Sequence, residues 1–86
     1  MKPVLMFMME SCPYCKEASK WMEEVKKENP KYFNIEITTI DERIQPGIAN
    51  KYDYYYVPTY YIDGKKVHEG AVSKDIVREV FEKACE

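Results

Sequence analysis

The segment Cys12-Pro13-Tyr14-Cys15 separates an apolar run, Val4 to Met9, from a helix-like stretch, Lys16 to Glu28. Within that run, Val4-Leu5-Met6-Phe7-Met8 is apolar without alternation, which is typical of a central strand covered on both faces. A strand that ends where a helix begins directs the free N–H groups of the first helical turn, and the positive end of the helix dipole, at the group between them. That group is here a thiol. The sequence therefore predicts a strand, a reactive cysteine loop and a helix in succession.

The two cysteines of this segment are predicted to have different roles. The pKa of a cysteine thiol falls from about 8.5 toward about 3.5–7.5 at helix N-termini and in C-x-x-C motifs, so Cys12 is the candidate nucleophile. Cys15, one turn further along the helix, can attack a mixed disulfide formed at Cys12 and release the product. Pro13 suits the first helical position, because its ring presets φ and its missing N–H would be unpaired there. Tyr14 is a candidate for the wall of a substrate groove.

Metal binding is the alternative for the same residues. The C-x-x-C spacing also occurs in zinc sites and in surface knuckles. The methionines before the loop, Met6, Met8 and Met9, suggest copper, but a flexible thioether more often fills gaps in a core. Copper loops of the M-x-C-x-x-C kind would also have methionine where Glu10 stands. We therefore predict core filling for the methionines.

The stretch from Lys16 to Glu28 is predicted to be an amphipathic helix followed by a strand. Its apolar residues recur at i, i+3, i+4 and i+7, namely Ala18, Trp21, Met22 and Val25. Cys15 extends this stripe and should be half buried, whereas Cys12 remains exposed. Asn29-Pro30 ends the helix, since the residue before proline is disfavoured in the α region. The β-branched segment Phe33 to Ile40 then predicts a second strand, parallel to the first.

The middle of the chain is predicted to contain a short helix and a tyrosine-rich segment. Asp41 can cap a helix from Glu42 to Tyr52, but Pro46-Gly47 interrupts the pattern, so the helix is either irregular or begins near Pro46. Eight tyrosines occur in the whole chain, and most lie between Tyr52 and Tyr61. We expect these to pack at the edge of the sheet, with substrate stacking as the alternative.

The C-terminal part is predicted to be a hairpin followed by a helix. Asp63-Gly64 supplies the positive φ angles of a tight turn between two strands. Gly70 is expected to permit a close backbone approach near the active loop. Ser73 is a good N-cap for the final helix, at whose end Cys85 is predicted to be a bystander thiol. His68 is expected to be a strand-surface residue.

Composition limits the classes of function. With 86 residues the chain makes one domain, residues 1–86. The 13 basic residues are spread among 15 acidic ones for a net charge of −2, so no nucleic-acid partner is expected. The N-terminal apolar run is too short for a signal-peptide core or a membrane span. We therefore expect a monomer located in the cytoplasm, where two close cysteines are more often redox-active or metal-binding than structural.

These motifs resemble the thioredoxin superfamily. Cys12-Pro13-Tyr14-Cys15 is similar to the active loop of glutaredoxins, and Val57-Pro58-Thr59 resembles the segment that carries a cis-proline opposite that loop. Gly70-Ala71-Val72-Ser73-Lys74 is more similar to thioredoxins. The resemblance implies an α/β thioredoxin fold, β-α-β-α-β-β-α, with a four-stranded mixed sheet and flanking helices. It also implies that the backbone of Val57 pairs with an extended substrate and that Pro58 lies beneath the mixed disulfide.

The resemblance implies a dithiol–disulfide oxidoreductase of glutaredoxin or thioredoxin type. Its partners would be disulfide-containing proteins and an electron donor, either a reductase or glutathione, with no tightly bound cofactor. Met9 stands where glutaredoxins have a basic residue that holds glutathione. Met6 stands where thioredoxins have a buried acid, so the proton of Cys15 must leave through water, Lys16 or another group. The alternative implied by the family is a module that binds a metal or a [2Fe–2S] cluster through Cys12, with further thiolates supplied from outside the chain.

Overall fold

A computed structural model describes all 86 residues. Its elements, in chain order, are β1 (Val4–Met8), α1 (Pro13–Glu28), a 3₁₀ helix (Pro30–Asn34), β2 (Ile37–Asp41), α2 (Pro46–Ala49), β3 (Thr59–Ile62), β4 (Lys65–Glu69) and α3 (Lys74–Cys85). The strands form one sheet in the order β2-β1-β3-β4. β1 pairs in parallel with β2 and antiparallel with β3, and β3 pairs antiparallel with β4. The predicted α/β architecture with a four-stranded mixed sheet is confirmed.

The central strand β1 is covered on both faces, as its unbroken apolar sequence predicted. Successive side chains of a strand point to opposite faces, so Val4 and Met6 enter the larger core, which includes residues of α1 and α3. Phe7 enters a second cluster with Ile40, Ala49 and Tyr61 on the other face. β1 therefore leads the chain from the middle of the sheet directly into the cysteine loop.

Helix α1 begins at Pro13 with Cys12 as its N-cap, which confirms Pro13 as the first helical residue. The helix ends at Glu28, before Asn29-Pro30, as predicted. Cys15 is more deeply placed than the half-buried position expected, since only 1% of its surface is exposed. The apolar stripe of α1 enters the same core as Val4 and Met6 of β1, and Cys15 lies on that buried stripe.

The predicted second strand is wrong over its first part. β2 is Ile37–Asp41, whereas the strand was expected to begin at Phe33. The Asn29 side chain accepts a hydrogen bond from the Lys31 N–H at 3.2 Å and caps the 3₁₀ helix that replaces the start of the strand. Tyr32 is buried there, with its ring 5.5 Å from that of Phe81. Turn chemistry and this tertiary contact therefore outweigh the β propensity of the segment.

The second helix begins at Pro46, the later of the two predicted starts, and ends at Ala49 rather than at Tyr52. Asp41 does not cap it. The Asp41 carboxylate instead accepts the N–H of Arg43 at 2.9 Å, which closes a turn directly after β2. The segment between β2 and α2 therefore turns at the same end of the sheet as the cysteine loop.

The C-terminal predictions hold locally. Asp63 and Gly64 have φ angles of 52° and 82° and join β3 to β4, as the tight turn requires. The Ser73 hydroxyl accepts the Ile76 N–H at 3.2 Å and caps α3.

None of the helices combines the length and the apolar character that crossing a membrane would require.

Candidate active site

Cys12 occupies the junction between β1 and α1. Its N–H donates to the carbonyl of Met9 at 3.1 Å, and its own carbonyl accepts the N–H groups of Cys15 and Lys16, each at 3.1 Å. Its side chain makes no capping hydrogen bond to the helix backbone and is partly exposed. The thiol is thus held at the helix N-terminus while it remains open to solvent.

The environment of Cys12 favours its thiolate. Partial burial opposes ionisation, but favourable interactions with the nearby Cys15 N–H, Cys15 thiol and Tyr14 N–H outweigh it, and together they lower the pKa of Cys12. The negative charge of Glu42 acts in the opposite direction. The balance of these contacts makes Cys12 the thiol that ionises first.

Cys15 has the opposite character. Burial raises the pKa of its thiol to about 12, with the hydrogen bond to Cys12 and the negative charges of Cys12 and Glu42 adding to the rise. The backbone N–H of Met9 partly offsets it. All three cysteines of the chain are free thiols. Cys15 is therefore protonated at neutral pH and donates to the sulfur of Cys12.

The end of the sheet that carries the cysteine loop also contains Val57, Pro58 and Gly70. In the antiparallel pairing of β1 with β3, Phe7 lies opposite Thr59, so the preceding Pro58 lies beside the end of β1 from which the chain continues to Cys12. The Val57–Pro58 peptide bond is cis. Pro58 is fully buried, and its carbonyl accepts the Gly70 N–H at 2.8 Å. Val57 is partly buried against the cluster that contains Phe7.

Gly70 is needed for a different reason from the one predicted. No atom lies within 4 Å of the position that a Cβ would take there, so the expected close backbone approach is absent. Its φ of 95° is instead a conformation that side-chain-bearing residues rarely adopt. Glycine at this position lets the chain turn after β4 and present its N–H to Pro58.

The tyrosines divide between packing and exposure. Tyr54 is stacked on Phe7 with ring centroids 4.8 Å apart, and Tyr60 is fully buried. Phe7 and Tyr60 belong to the two interior strands, so these tyrosines pack in the middle of the sheet and not at its edge as predicted. Tyr14, Tyr55 and Tyr56 instead expose 58%, 86% and 70% of their surfaces. Tyr14 projects from the first turn of α1, and the other two immediately precede Val57, so exposed aromatic rings are available close to both halves of the site.

Glu69 is a site residue that the sequence did not indicate. Its carboxylate accepts the N–H groups of Tyr55 at 2.6 Å and of Tyr56 at 3.0 Å, and it pairs with the Lys66 ammonium at 2.7 Å. The Lys66 hydrogen bond, followed by the two backbone bonds, lowers the pKa of Glu69 to about 2. The segment leading to Val57 is therefore tied to the end of β4.

Glu42 is a second site residue that the sequence patterns did not indicate. It follows β2 directly, its N–H donates to the Met8 carbonyl at 2.9 Å, and its carboxylate accepts the Tyr54 hydroxyl at 2.7 Å. A cavity of about 430 Å³ opens beside it. The parallel pairing of β1 with β2 was predicted, and it implies that residues following the two strands lie side by side; that inference would have found Glu42.

The structure contains no group of three or more His, Cys, Asp or Glu side chains placed to hold a metal ion. Met6 is buried in the core and Met8 packs against it, so both fill space as predicted. The prediction is wrong for Met9, which is partly exposed and lines the cavity beside Glu42. Cys85 also packs against this core, at the end of α3. A ring nitrogen of His68 lies 3.0 Å from the Ala71 carbonyl oxygen.

Comparisons with known proteins agree with this geometry. The family model described as a thioredoxin domain matches residues 4–82. The thioredoxin of Methanocaldococcus jannaschii is 32% identical over 78 residues, which cover 91% of this chain and 89% of that protein.

Two solved structures are similar over nearly the whole chain. An oxidised thioredoxin from Plasmodium falciparum superposes with a TM-score of 0.74 at 20% identity, covering 99% of this chain and 82% of that chain. A thioredoxin-like protein from Clostridium perfringens gives 0.68 at 30% identity, covering 98% and 71%. With the sheet order and the cysteine junction described above, these matches establish that the chain has the thioredoxin fold and belongs to the thioredoxin family.

Proposed function

We propose that the chain reduces disulfides in proteins or small molecules through a Cys12–Cys15 dithiol and a mixed-disulfide intermediate. Membership of the thioredoxin family supports thiol–disulfide oxidoreductase chemistry in general. The observation that carries the specific proposal is the contrast between two neighbouring thiols. Cys12 is partly exposed and has a lowered pKa, whereas Cys15 is buried and has a pKa raised to about 12.

The reaction proceeds in two displacement steps. The Cys12 thiolate attacks one sulfur of the substrate disulfide, forms the mixed disulfide and releases the other sulfur as a thiolate. Cys15 then loses its proton and attacks the Cys12 sulfur, which breaks the bond to the substrate and releases the second thiolate. The chain is left with a Cys12–Cys15 disulfide, having supplied the two electrons that the substrate gained. In the proposed complex the substrate backbone lies along Val57, above Pro58, with Tyr14 at the side of the groove.

Serine substitutions separate the two steps. Cys12→Ser should abolish turnover, because the attacking sulfur is absent. Cys15→Ser should accumulate a mixed disulfide with substrate, which mass spectrometry of acid-quenched reactions would detect as an adduct at Cys12. Both variants are best made with Cys85→Ser, so that the third thiol cannot form the adduct. Substantial and equal turnover in the two variants would contradict the proposal.

The electron donor is proposed to be either a flavin-dependent reductase or glutathione, acting on a monomer in the cytoplasm without a bound cofactor. Insulin reduction with NADPH and thioredoxin reductase, compared with glutathione and glutathione reductase, distinguishes a thioredoxin-type from a glutaredoxin-type enzyme. The cluster-binding alternative needs thiolates beyond the two that this loop provides. A visible absorption band in anaerobically purified protein would favour that alternative.

A further inference from the structure

The second displacement requires a proton acceptor that the two cysteines do not provide. This inference rests on the proposed function. The Cys15 thiol is buried on the apolar stripe of α1, and it donates its hydrogen bond to the Cys12 sulfur. In the mixed disulfide the Cys12 sulfur is bonded to substrate and carries no negative charge. The Cys15 proton must therefore pass to another group before Cys15 can attack.

Glu42 lies near Met9, whose backbone faces this thiol. β1 and β2 run in parallel with Met8 opposite Asp41, so Glu42 lies beside Met9, and its N–H is bonded to the Met8 carbonyl at 2.9 Å. Met9 is the residue whose N–H points at the Cys15 sulfur. The charge of Glu42 acts on both thiols. Glu42 therefore lies on the β2 side of the cysteine loop, close enough for its charge to act on both sulfurs.

The surroundings of Glu42 hold it in place and leave room for water. The Tyr54 hydroxyl donates to Glu42 Oε1 at 2.7 Å, and the Tyr54 ring is fixed by stacking on Phe7. Met9 and Glu42 both line the cavity of about 430 Å³, which is large enough for water beside the carboxylate. Neither cysteine lines this cavity, so the Cys15 proton has to pass Met9 to reach water there. A short water bridge can carry a proton from a thiol to a carboxylate that does not touch it.

Other ionisable groups are less suitable. Arg43 shares the cavity with Glu42 but is a permanent cation. Lys16 is exposed on α1 and lines a separate cavity with Asp41. Tyr60 lies near Cys15, but its buried hydroxyl donates to the Met22 sulfur, and burial raises its pKa. Tyr54 is itself the donor to Glu42.

We propose that Glu42 is the general base of the second displacement. Its carboxylate accepts the Cys15 proton through intervening water, and the resulting Cys15 thiolate attacks the Cys12 sulfur. The bond between Cys12 and substrate breaks, and the protonated Glu42 returns its proton to the departing substrate thiolate. No proton or electron is left over, and the carboxylate is regenerated in each turnover.

A chromogenic disulfide separates the two displacements. The reduced Cys85→Ser protein, mixed in a stopped-flow instrument with one equivalent of dithiobis(nitrobenzoate), should release one coloured thiolate when Cys12 attacks and a second when Cys15 resolves the adduct. The leaving thiolate is weakly basic and needs no proton to depart. The slow phase therefore reports chiefly the loss of the Cys15 proton.

Glu42→Gln should slow the second phase by on the order of 100-fold at neutral pH, the usual contribution of a positioned base. Its first phase should not slow, because removing the Glu42 charge favours the Cys12 thiolate. The rate constant of the slow phase in Glu42→Gln should also increase about tenfold for each unit of pH, because hydroxide then replaces the missing base. Glu79→Gln removes an equal charge from the exposed face of α3 and is the matched control.

The isosteric pair Glu42→Asp and Glu42→Asn gives an independent test, since the two variants differ only in the carboxylate. A faster slow phase in Glu42→Asp than in Glu42→Asn supports the role of Glu42 as the general base. A slow phase in Glu42→Gln equal to that of the parent, or equal slow phases in Asp and Asn, overturns the role of Glu42 and leaves the dithiol mechanism intact. Absence of both phases in the parent protein would instead contradict the proposed function itself.

Discussion

At the scale of single residues, the two thiols of the loop differ because the helix begins between them. Cys12 lies before the first turn, where backbone N–H groups and the thiol of Cys15 point at its sulfur. Cys15 lies within the helix, on the stripe that packs against the sheet, where burial disfavours its charge. Two residues of the same type, three positions apart, therefore titrate in opposite directions from the ordinary pKa of a cysteine.

The hydrogen bond from Cys15 to Cys12 can be tested with a matched pair of variants. Cys15→Ala removes the donor, whereas Cys15→Ser retains a hydroxyl that can donate to the Cys12 sulfur. We expect the pKa of Cys12 to be higher in the alanine variant, so its reaction with iodoacetamide should begin at higher pH. Alkylation rates measured against pH with Cys85→Ser in the background would give both midpoints. Identical midpoints would show that the side-chain hydrogen bond does not stabilise the thiolate.

At the scale of elements, the segment between α2 and β3 is held from outside rather than by its own structure. It has no regular secondary structure, but the Glu69 carboxylate at the end of β4 accepts two of its backbone N–H groups. The Pro58 carbonyl accepts the Gly70 N–H just after β4. The backbone that we propose contacts substrate at Val57 is therefore positioned by the neighbouring strand.

Glu69→Gln should lower the Tm at neutral pH and slow reduction of a protein substrate more than reaction of Cys12 with iodoacetamide. The reason is that the segment loses its charged acceptor while Cys12 is left unchanged. The pKa of Glu69 is lowered from 4.5 to about 2, so its stabilising effect is fully present above about pH 4.5 and is lost as the pH falls toward 2.

Thermal unfolding at several pH values checks this linkage. The gap in Tm between wild type and Glu69→Gln should narrow as the pH falls from about 5 to about 3. Glu79→Gln, on the exposed face of α3, is the control for loss of one carboxylate. A gap that stays constant over this range would exclude the ionised Glu69 as the source of the stabilisation.

At the scale of the whole molecule, α1, α3 and the 3₁₀ helix share one core with β1 and β3. Phe81 of α3 is fully buried in it and meets the ring of Tyr32. On the surface, Glu28 of α1 pairs with Lys74 at 2.6 Å and with Arg78 at 2.8 Å, both on α3. Exposed ion pairs contribute little to stability, so the shared apolar core is the main connection between these helices.

Phe81→Ala should reduce the free energy of unfolding by about 3–5 kcal/mol, from lost burial and the cavity left behind. The free energy of unfolding of a whole domain of this size is roughly 4–13 kcal/mol, so the Phe81→Ala variant should be close to the limit of stable folding. Phe33→Ala is the matched control, because Phe33 is 59% exposed and should change stability by less than about 0.5 kcal/mol. Urea unfolding measures the change in the free energy of unfolding for both variants. Similar losses in Phe81→Ala and Phe33→Ala would mean that Phe81 does not lie in the core shared by the helices.

Local patterns in the sequence were sufficient wherever the physical cause is also local. Pro13 begins α1, Asn29-Pro30 ends it, Asp63-Gly64 turns the hairpin and Ser73 caps α3, each through conformations or hydrogen bonds within a few residues. The apolar run of β1 and the stripe of α1 likewise indicated which faces are buried. The position of Cys12 at the strand–helix junction followed from these elements.

Tertiary structure alone decided features that depend on residues distant in sequence. The segment from Phe33 has β-branched character but is displaced from the sheet, because Tyr32 packs on α3. The full burial of Cys15 depends on how closely α1 meets the sheet. Glu42 is brought near the cysteine loop by strand pairing, and Glu69 reaches the segment before Val57 across 13 or 14 residues of chain. Periodicity and turn chemistry report each element's own preferences, whereas a carboxylate's partners are set only when the elements pack together.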